Sequence, residues 1–213
     1  MMKASFTGNY DGDYSGATGS FVVNSGGLNL RASITADSVA NRPSVNGVTL
    51  SLENPASFIV DYNVPKQDIR FQFMNSVRVK GKPLNFTYTH SVGDRRTALD
   101  GMLMLDTNHK VSANYGFELG NCKVKYCYVH GGVTSVEPSY DFGNNSWELG
   151  VSRRIVDGSV VRGCYRSDTK VLGVDLRTKS FSGANVKIAA SVNLAEEKLM
   201  PKVTAETIWD FEM

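Results

Sequence analysis

The sequence is short of most of what an enzyme or a secreted scaffold needs. Its 213 residues include only three cysteines, three histidines and six prolines. An odd number of cysteines does not make a disulfide framework, and the four residues between Cys122 and Cys127 are not a usual metal spacing. All three read as free thiols. His90, His109 and His130 have no partner at zinc-binding spacing, and no Gly-x-Ser-x-Gly nucleophile elbow occurs. The expectation is therefore no catalytic residue, no metal, no cofactor and no enzyme. Asp11-Gly12-Asp13 lacks the other ligands of a calcium loop and reads as a hairpin turn.

Long hydrophobic runs are missing too. No window approaches the roughly 18 apolar residues of a membrane helix. The opening MMKASFTGNYDGDYSG has neither the apolar core of a secretory signal nor the Arg-rich character of a transit peptide, so nothing there is expected to be removed. The sequons at Asn85 and Asn144 are discounted on the same ground. Nor is there an excess of one charge: 23 Lys and Arg stand against 21 Asp and Glu, which argues against nucleic acid as a partner and against a disordered acidic tail.

What is present is a period of two. In LNLRASITA the apolar Leu28, Leu30, Ala32, Ile34 and Ala36 alternate without error with Asn29, Arg31, Ser33 and Thr35. The pattern returns around Phe58–Tyr62, Ile69–Phe73, Leu84–Tyr88, Leu99–Leu105, Val111–Leu119, Val124–Tyr128, Trp147–Val151, Val186–Leu194 and Val203–Phe211. Turn signals separate these runs: Asn24-Ser25-Gly26-Gly27, Asn54-Pro55, Val64-Pro65, Gly81-Lys82-Pro83, Gly93-Asp94, Gly120-Asn121, Gly143-Asn144-Asn145 and Asp157-Gly158. Consecutive strands are expected to pair as hairpins within one domain spanning residues 1–213, with about 12 to 16 strands and 14 favoured. Helix is expected only at Leu194–Leu199, stopped by Pro201, and as a turn near Asp37–Arg42.

Alternation alone does not say which face is wet. A soluble lipocalin-like barrel or sandwich holding an apolar ligand would put the apolar face inside, whereas a ring of about 14 strands has a bore that side chains cannot fill. Such a ring requires its apolar face against lipid, where a mid-bilayer Lys or Arg costs about 2 to 4 kcal/mol. No Lys or Arg falls on the apolar face of the runs above. Tyr10, Tyr62, Tyr88, Tyr128, Trp147, Trp209 and Phe211 lie near strand ends, where interfacial girdles sit. Both readings stay open on pattern alone.

Four stretches carry more information than any short motif: SFIVDYNVPKQDIRFQFMNSVRV, LNFTYTHSVGDRRTALDG, KVKYCYVHGGV and SVNLAEEKLMPKVTAETIWDFEM. With them the chain resembles, from Met2 to Met213, the plastid outer envelope pore proteins of the ~24 kDa class. The resemblance implies a closed antiparallel transmembrane β-barrel in the plastid outer membrane, in chloroplasts and etioplasts. It also implies a high-conductance, weakly selective channel passing triose and hexose phosphates, dicarboxylates, amino acids, phosphate and nucleotides. The partners so implied are membrane lipids, small charged metabolites and inorganic ions, with homo-oligomerisation allowed. No pore residue transfers from the family.

Candidate pore-lining residues rest on alternation. The polar face carries Arg31, Asp61, Asp68, Arg70, Lys110, Glu118, Lys123, Lys125, Glu148, Lys187, Lys202, Glu206 and Asp210, seven cations against six carboxylates, which predicts weak charge discrimination. Arg162 and Arg166 are placed inward as well, opposite Val161 and Tyr165. With Lys123 and Lys125 they would form a basic lane for phosphorylated anions, or else pair with carboxylates on adjacent strands as structural ladders.

Overall fold

The computed structural model describes residues 2–11, 14–39, 42–55, 57–155, 158–179, 184–196 and 201–212. Strict alternation joined by short turns leaves each strand little choice but to pair with the next. Sixteen strands result: β1 (Met2–Asp11), β2 (Tyr14–Ser25), β3 (Leu28–Val39), β4 (Arg42–Asn54), β5 (Phe58–Asn63), β6 (Asp68–Val79), β7 (Lys82–Ser91), β8 (Arg96–Met104), β9 (His109–Gly116), β10 (Asn121–His130), β11 (Thr134–Asp141), β12 (Ser146–Arg154), β13 (Val160–Arg166), β14 (Val171–Lys179), β15 (Asn185–Asn193) and β16 (Lys202–Glu212). Each pairs antiparallel with its successor, and β16 closes on β1 from Lys3↔Glu212 to Asp11↔Thr204, so no edge is left open.

The favoured number of fourteen strands is corrected to sixteen, the top of the expected range. The strands hardest to read are those whose apolar face is thinned by small residues, such as β2 with Ala17 and Gly19, or interrupted by proline, as at Pro138 in β11. Of the turn expected near Asp37–Arg42, Asp37–Val39 are instead strand in β3 and Arg42 opens β4, while residues 40–41 lie outside the described residues. Leu194–Glu196 form a turn, and residues 197–199 lie outside the described residues, as do Gly12, Asp13 and Asp157. Pro83 belongs to β7, opposite Arg78, because the β6–β7 turn is made by Lys80 and Gly81 alone, both at positive φ (51° and 81°).

The connections define two rims. The upper rim carries four-residue turns at 64–67, 92–95, 117–120, 142–145 and 167–170. Each of them closes on a left-handed residue: Gln67, Arg95, Gly120, Asn145 and Lys170, with φ between 48° and 59°. The last four turns recur 25 residues apart, a hairpin period that composition alone conceals. The turns also bond sideways: the Asp68 carboxylate accepts from the Gly93 N–H at 2.5 Å, and Asn121 Oδ1 accepts from the Gly143 N–H at 2.7 Å. A Cβ on Gly93 would stand 2.8 Å from that carboxylate, so glycine is the residue that fits. The lower rim carries Gly26–Gly27, Lys80–Gly81, 105–108, 131–133, and the outer ends of β1 and β16.

There is no dry core. Ala184 is the one buried apolar side chain among the described residues, while Leu30 is 56% exposed, Phe73 52% and Val174 50%. A soluble barrel of this size would have buried those side chains. Sixteen strands about 4.8 Å apart and tilted about 40° give a backbone radius of roughly 16 Å, and side chains pointing inward from such a ring leave an aqueous bore between them.

Candidate functional site: the polar face of the barrel

Directly opposed residues share a face, so the pairings carry face assignment from strand to strand. Following one face round the ring gives Lys123–Asp141–Ser146 and Lys125–Ser139–Glu148–Arg166 from β10 to β13. From β13 it runs through Arg162–Asp175 and on through Arg177–Lys187–Glu206. On β3 to β6 the same face holds Arg31 opposite Ser51, and Ser51 opposite Asp61, which faces Arg70. Between lie the hydroxyl-rich β1 to β4, where Ser5 bonds Ser20 at 2.6 Å and Thr18 bonds Thr35 at 3.3 Å.

The other face is apolar: Phe21, Leu30, Leu50, Phe73, Leu149, Leu172, Val174, Ile188 and Val203, all exposed. Its described charges are Lys82, the first residue of β7, and Arg153, the penultimate residue of β12. Both stand where a side chain reaches a membrane surface. Aromatic pairs flank this face at both ends. Tyr115–Phe117 (5.0 Å), Tyr140–Phe142 (4.9 Å) and Trp147–Tyr165 (5.3 Å) line the upper rim. Phe6–Trp209 (5.8 Å) and His109–Tyr128 (4.9 Å) lie towards the lower. His109 is also hydrogen-bonded to Tyr126, which ties this histidine into the girdle. Below it, in the 105–108 connection, the N–H groups of Asn108 and then His109 hold the Asp106 carboxyl below the usual carboxylate range.

Most of the expected site residues lie in strands on the polar face. Glu118 does not: it sits in the β9–β10 turn, where its carboxylate accepts from the Thr97 N–H. Asp210 registers opposite Ser5, and its side chain is outside the described residues.

The charges on the polar face are cross-linked. Lys125 Nζ lies 2.6 Å and Arg162 3.4 Å from the Glu137 carboxylate, and Lys123 lies 3.3 Å from Glu148. Arg70 meets Asp61 at 2.5 Å, Arg31 meets Glu53 at 3.2 Å and Lys187 meets Glu206 at 3.7 Å. The supposed basic lane is therefore answered, cation by cation: Lys123, Lys125, Arg162 and Arg166 face Asp141, Glu137, Asp175 and Glu148 by pairing or register. Ladders win over the lane.

Glu137, Asp175, Asp141, Asp100 and Glu53 join the polar face without having been singled out by alternation. Asp175 had a usable signal, since Leu172, Val174 and Leu176 alternate cleanly around it. Glu137 is masked by Pro138, whose missing N–H coincides with a gap in the β10–β11 ladder between Lys125↔Ser139 and Tyr128↔Val136. Beside that gap Cys127 Sγ lies 3.9 Å from Glu137.

With this geometry in place, the comparisons fall together. The family model described as Outer envelope pore protein 24 matches residues 2–212. Outer envelope pore protein 24B, chloroplastic, of Arabidopsis thaliana is 48% identical over 212 residues, covering 100% of this chain and 99% of its own length. Outer envelope pore protein 24, chloroplastic, of Oryza sativa subsp. indica is 38% identical over 224 residues, with 100% of both chains covered. Among solved structures, a mutant Rh. blastica porin superposes with a TM-score of 0.67 at 9% identity, covering 99% of this chain and 100% of its own, which supports the fold alone.

Proposed function

The chain belongs to the outer envelope pore protein 24 family, and from that premise we propose that its polar face encloses a water-filled lumen crossed by small solutes. It is a β-barrel channel of the chloroplast outer envelope, built as one closed ring of sixteen strands and acting as a conduit and not as a catalyst. The proposed cargo is triose and hexose phosphates, dicarboxylates, amino acids, phosphate and nucleotides; lipids and inorganic ions complete its partners.

One observation carries the lumen assignment. Lys123 of β10 reaches Glu148 of β12 across β11, and Arg162 of β13 reaches Glu137 of β11 across β12. Side-chain tips of second-neighbour strands converge on the concave side of a cylinder and diverge on the convex side, so ion pairs that straddle a strand favour an inward polar face. Passage is then diffusion, with paired charges setting only local ion concentrations. Because the cations of the β10–β14 belt are matched by carboxylates on neighbouring strands, neither sign of solute meets a uniform barrier there.

Purified protein added to a planar bilayer should give discrete, ohmic conductance steps; a bilayer that stays silent at every protein dose would refute the channel.

The native thiols give a second test of which face is wet. Cys127 lies on the face of Lys125, and Cys164 faces Gly150 beside Glu148 and Ser152, whereas Cys122 faces Tyr115 on the apolar side. A charged, membrane-impermeant methanethiosulfonate should modify Cys127 and Cys164 in liposome-reconstituted protein and spare Cys122, as read by peptide mass spectrometry. The reverse pattern would put the polar face outside.

A further inference from the structure

The two rims differ in charge although the whole chain is nearly balanced. At the upper rim cations and carboxylates interleave: Lys66 with Asp68, Arg95 and Arg96 with Asp94 and Glu118, Arg166 and Lys170 with Asp168. The lower rim is cationic. Arg78 and Lys80 stand at the β6–β7 turn, Arg154 ends β12, Lys179 ends β14, and all four are exposed. None of them makes an ion pair among the described residues. The described carboxylates at that end are engaged, Glu53 with Arg31 and Asp106 with backbone N–H groups. Asp210 and Glu212 of β16 are further acids towards that end, and counting them still leaves it net positive.

Within this rim one row is unusual. Arg154 registers opposite Val160, Val160 opposite Arg177, and Arg177 opposite Lys187, all on the polar face. Like charges directly opposed across a ladder are destabilising, so Arg177 against Lys187 is a cost the fold carries. Asp175 and Glu206 offset it from one side only, at 3.2 Å and 3.7 Å. A hollow opens at the same place, lined by Arg177, Lys179, Lys187 and Asn185, with Glu206 as its one carboxylate among the described residues. Guanidinium and ammonium groups converging on an open hollow match the oxygens of phosphate groups, and several together favour a polyvalent anion over a monovalent one.

We infer that the lower rim is a binding site for polyvalent phosphate anions, seated on Arg154, Arg177, Lys179 and Lys187, and that such anions block the channel from that side alone. The inference rests on the pore reading and adds a sidedness that the neutral mid-barrel belt does not supply. Because the row lies on the polar face, its ligand is a free anion and not a lipid headgroup.

The test uses sodium tripolyphosphate on single channels in neutral-lipid bilayers. A biotin at the C-terminus, which β16 brings to the lower rim, lets streptavidin mark the chamber that faces it. At about 0.1 M salt, half-block from that chamber should need roughly tenfold less tripolyphosphate than from the other, and the difference should collapse near 1 M salt, where the Debye length falls from about 10 Å to about 3 Å. The combined variant Arg154→Ser, Arg177→Ser, Lys179→Ser should conduct while losing the asymmetry to within about twofold. Equal block from both chambers, or asymmetry kept in the variant, overturns the site. Calorimetric titration of tripolyphosphate into detergent-solubilised barrel reads the site without conductance: binding lost in the variant supports it, and absent binding in wild type overturns it. A silent bilayer with intact binding would refute the pore and leave the site standing.

Discussion

Replacing Glu137 with lysine should make the channel prefer anions. Glu137 is the shared partner of Lys125 and Arg162, at 2.6 Å and 3.4 Å, and one substitution both removes its charge and adds another cation beside them. The wild-type belt at this height balances Lys123, Lys125, Arg162 and Arg166 against Asp141, Glu137, Asp175 and Glu148. A Glu137→Lys barrel is left with two uncompensated charges, in a lumen where the screening length of about 10 Å at 0.1 M salt is comparable with the free bore. Reversal potentials in a tenfold salt gradient should move towards the anion limit, with the anion-to-cation permeability ratio rising about fivefold. Arg162→Glu with Arg166→Glu should move the potential the other way, towards cation preference. A reversal potential unchanged in both variants would take these residues out of the lumen.

The strands and their two unlike faces were legible in the sequence because alternation is a local property, whereas closure into a transmembrane barrel came only with the family resemblance. A strand such as β15 declares itself through Val186, Ile188, Ala190 and Val192 with no help from its neighbours. Strand number was less legible, since glycine and alanine on the apolar positions of β2 weaken the same signal. Charge partners were least legible of all. Which carboxylate meets Arg162 depends on the stagger between three strands: register sets Asp175 opposite it, while the ion pair goes to Glu137 beyond β12. No pattern within one strand contains that stagger. The lower-rim row is hidden for the same reason, because Arg154 and Lys187 are far apart in the chain and come together only through β13 and β14.

Two adjacent alanines separate the membrane face from the polar face with the side-chain change held constant. Ala190 is exposed and sits between Val174 of β14 and Val203 of β16; Ala189, next to it near the middle of β15, is half-buried and sits between Asp175 and Thr204. Lysine at position 190 must place an ammonium in hydrocarbon or bend its stem towards a rim several residues away. Ala190→Lys should therefore cost about 2 to 4 kcal/mol, seen as a lower denaturant midpoint of the barrel folded into liposomes. Ala189→Lys puts the same group beside the Asp175 carboxylate and water, and should change stability by no more than about 0.5 kcal/mol. The contrast tests the assignment independently of any conductance measurement, since it needs only a folding transition in lipid. If Ala189→Lys were the damaging change and Ala190→Lys the silent one, the apolar face would be meeting itself and not the bilayer. The inward ion pairs, the anion site and the selectivity argument would all fall with it, because each takes the concave side of this sheet to be the wet one.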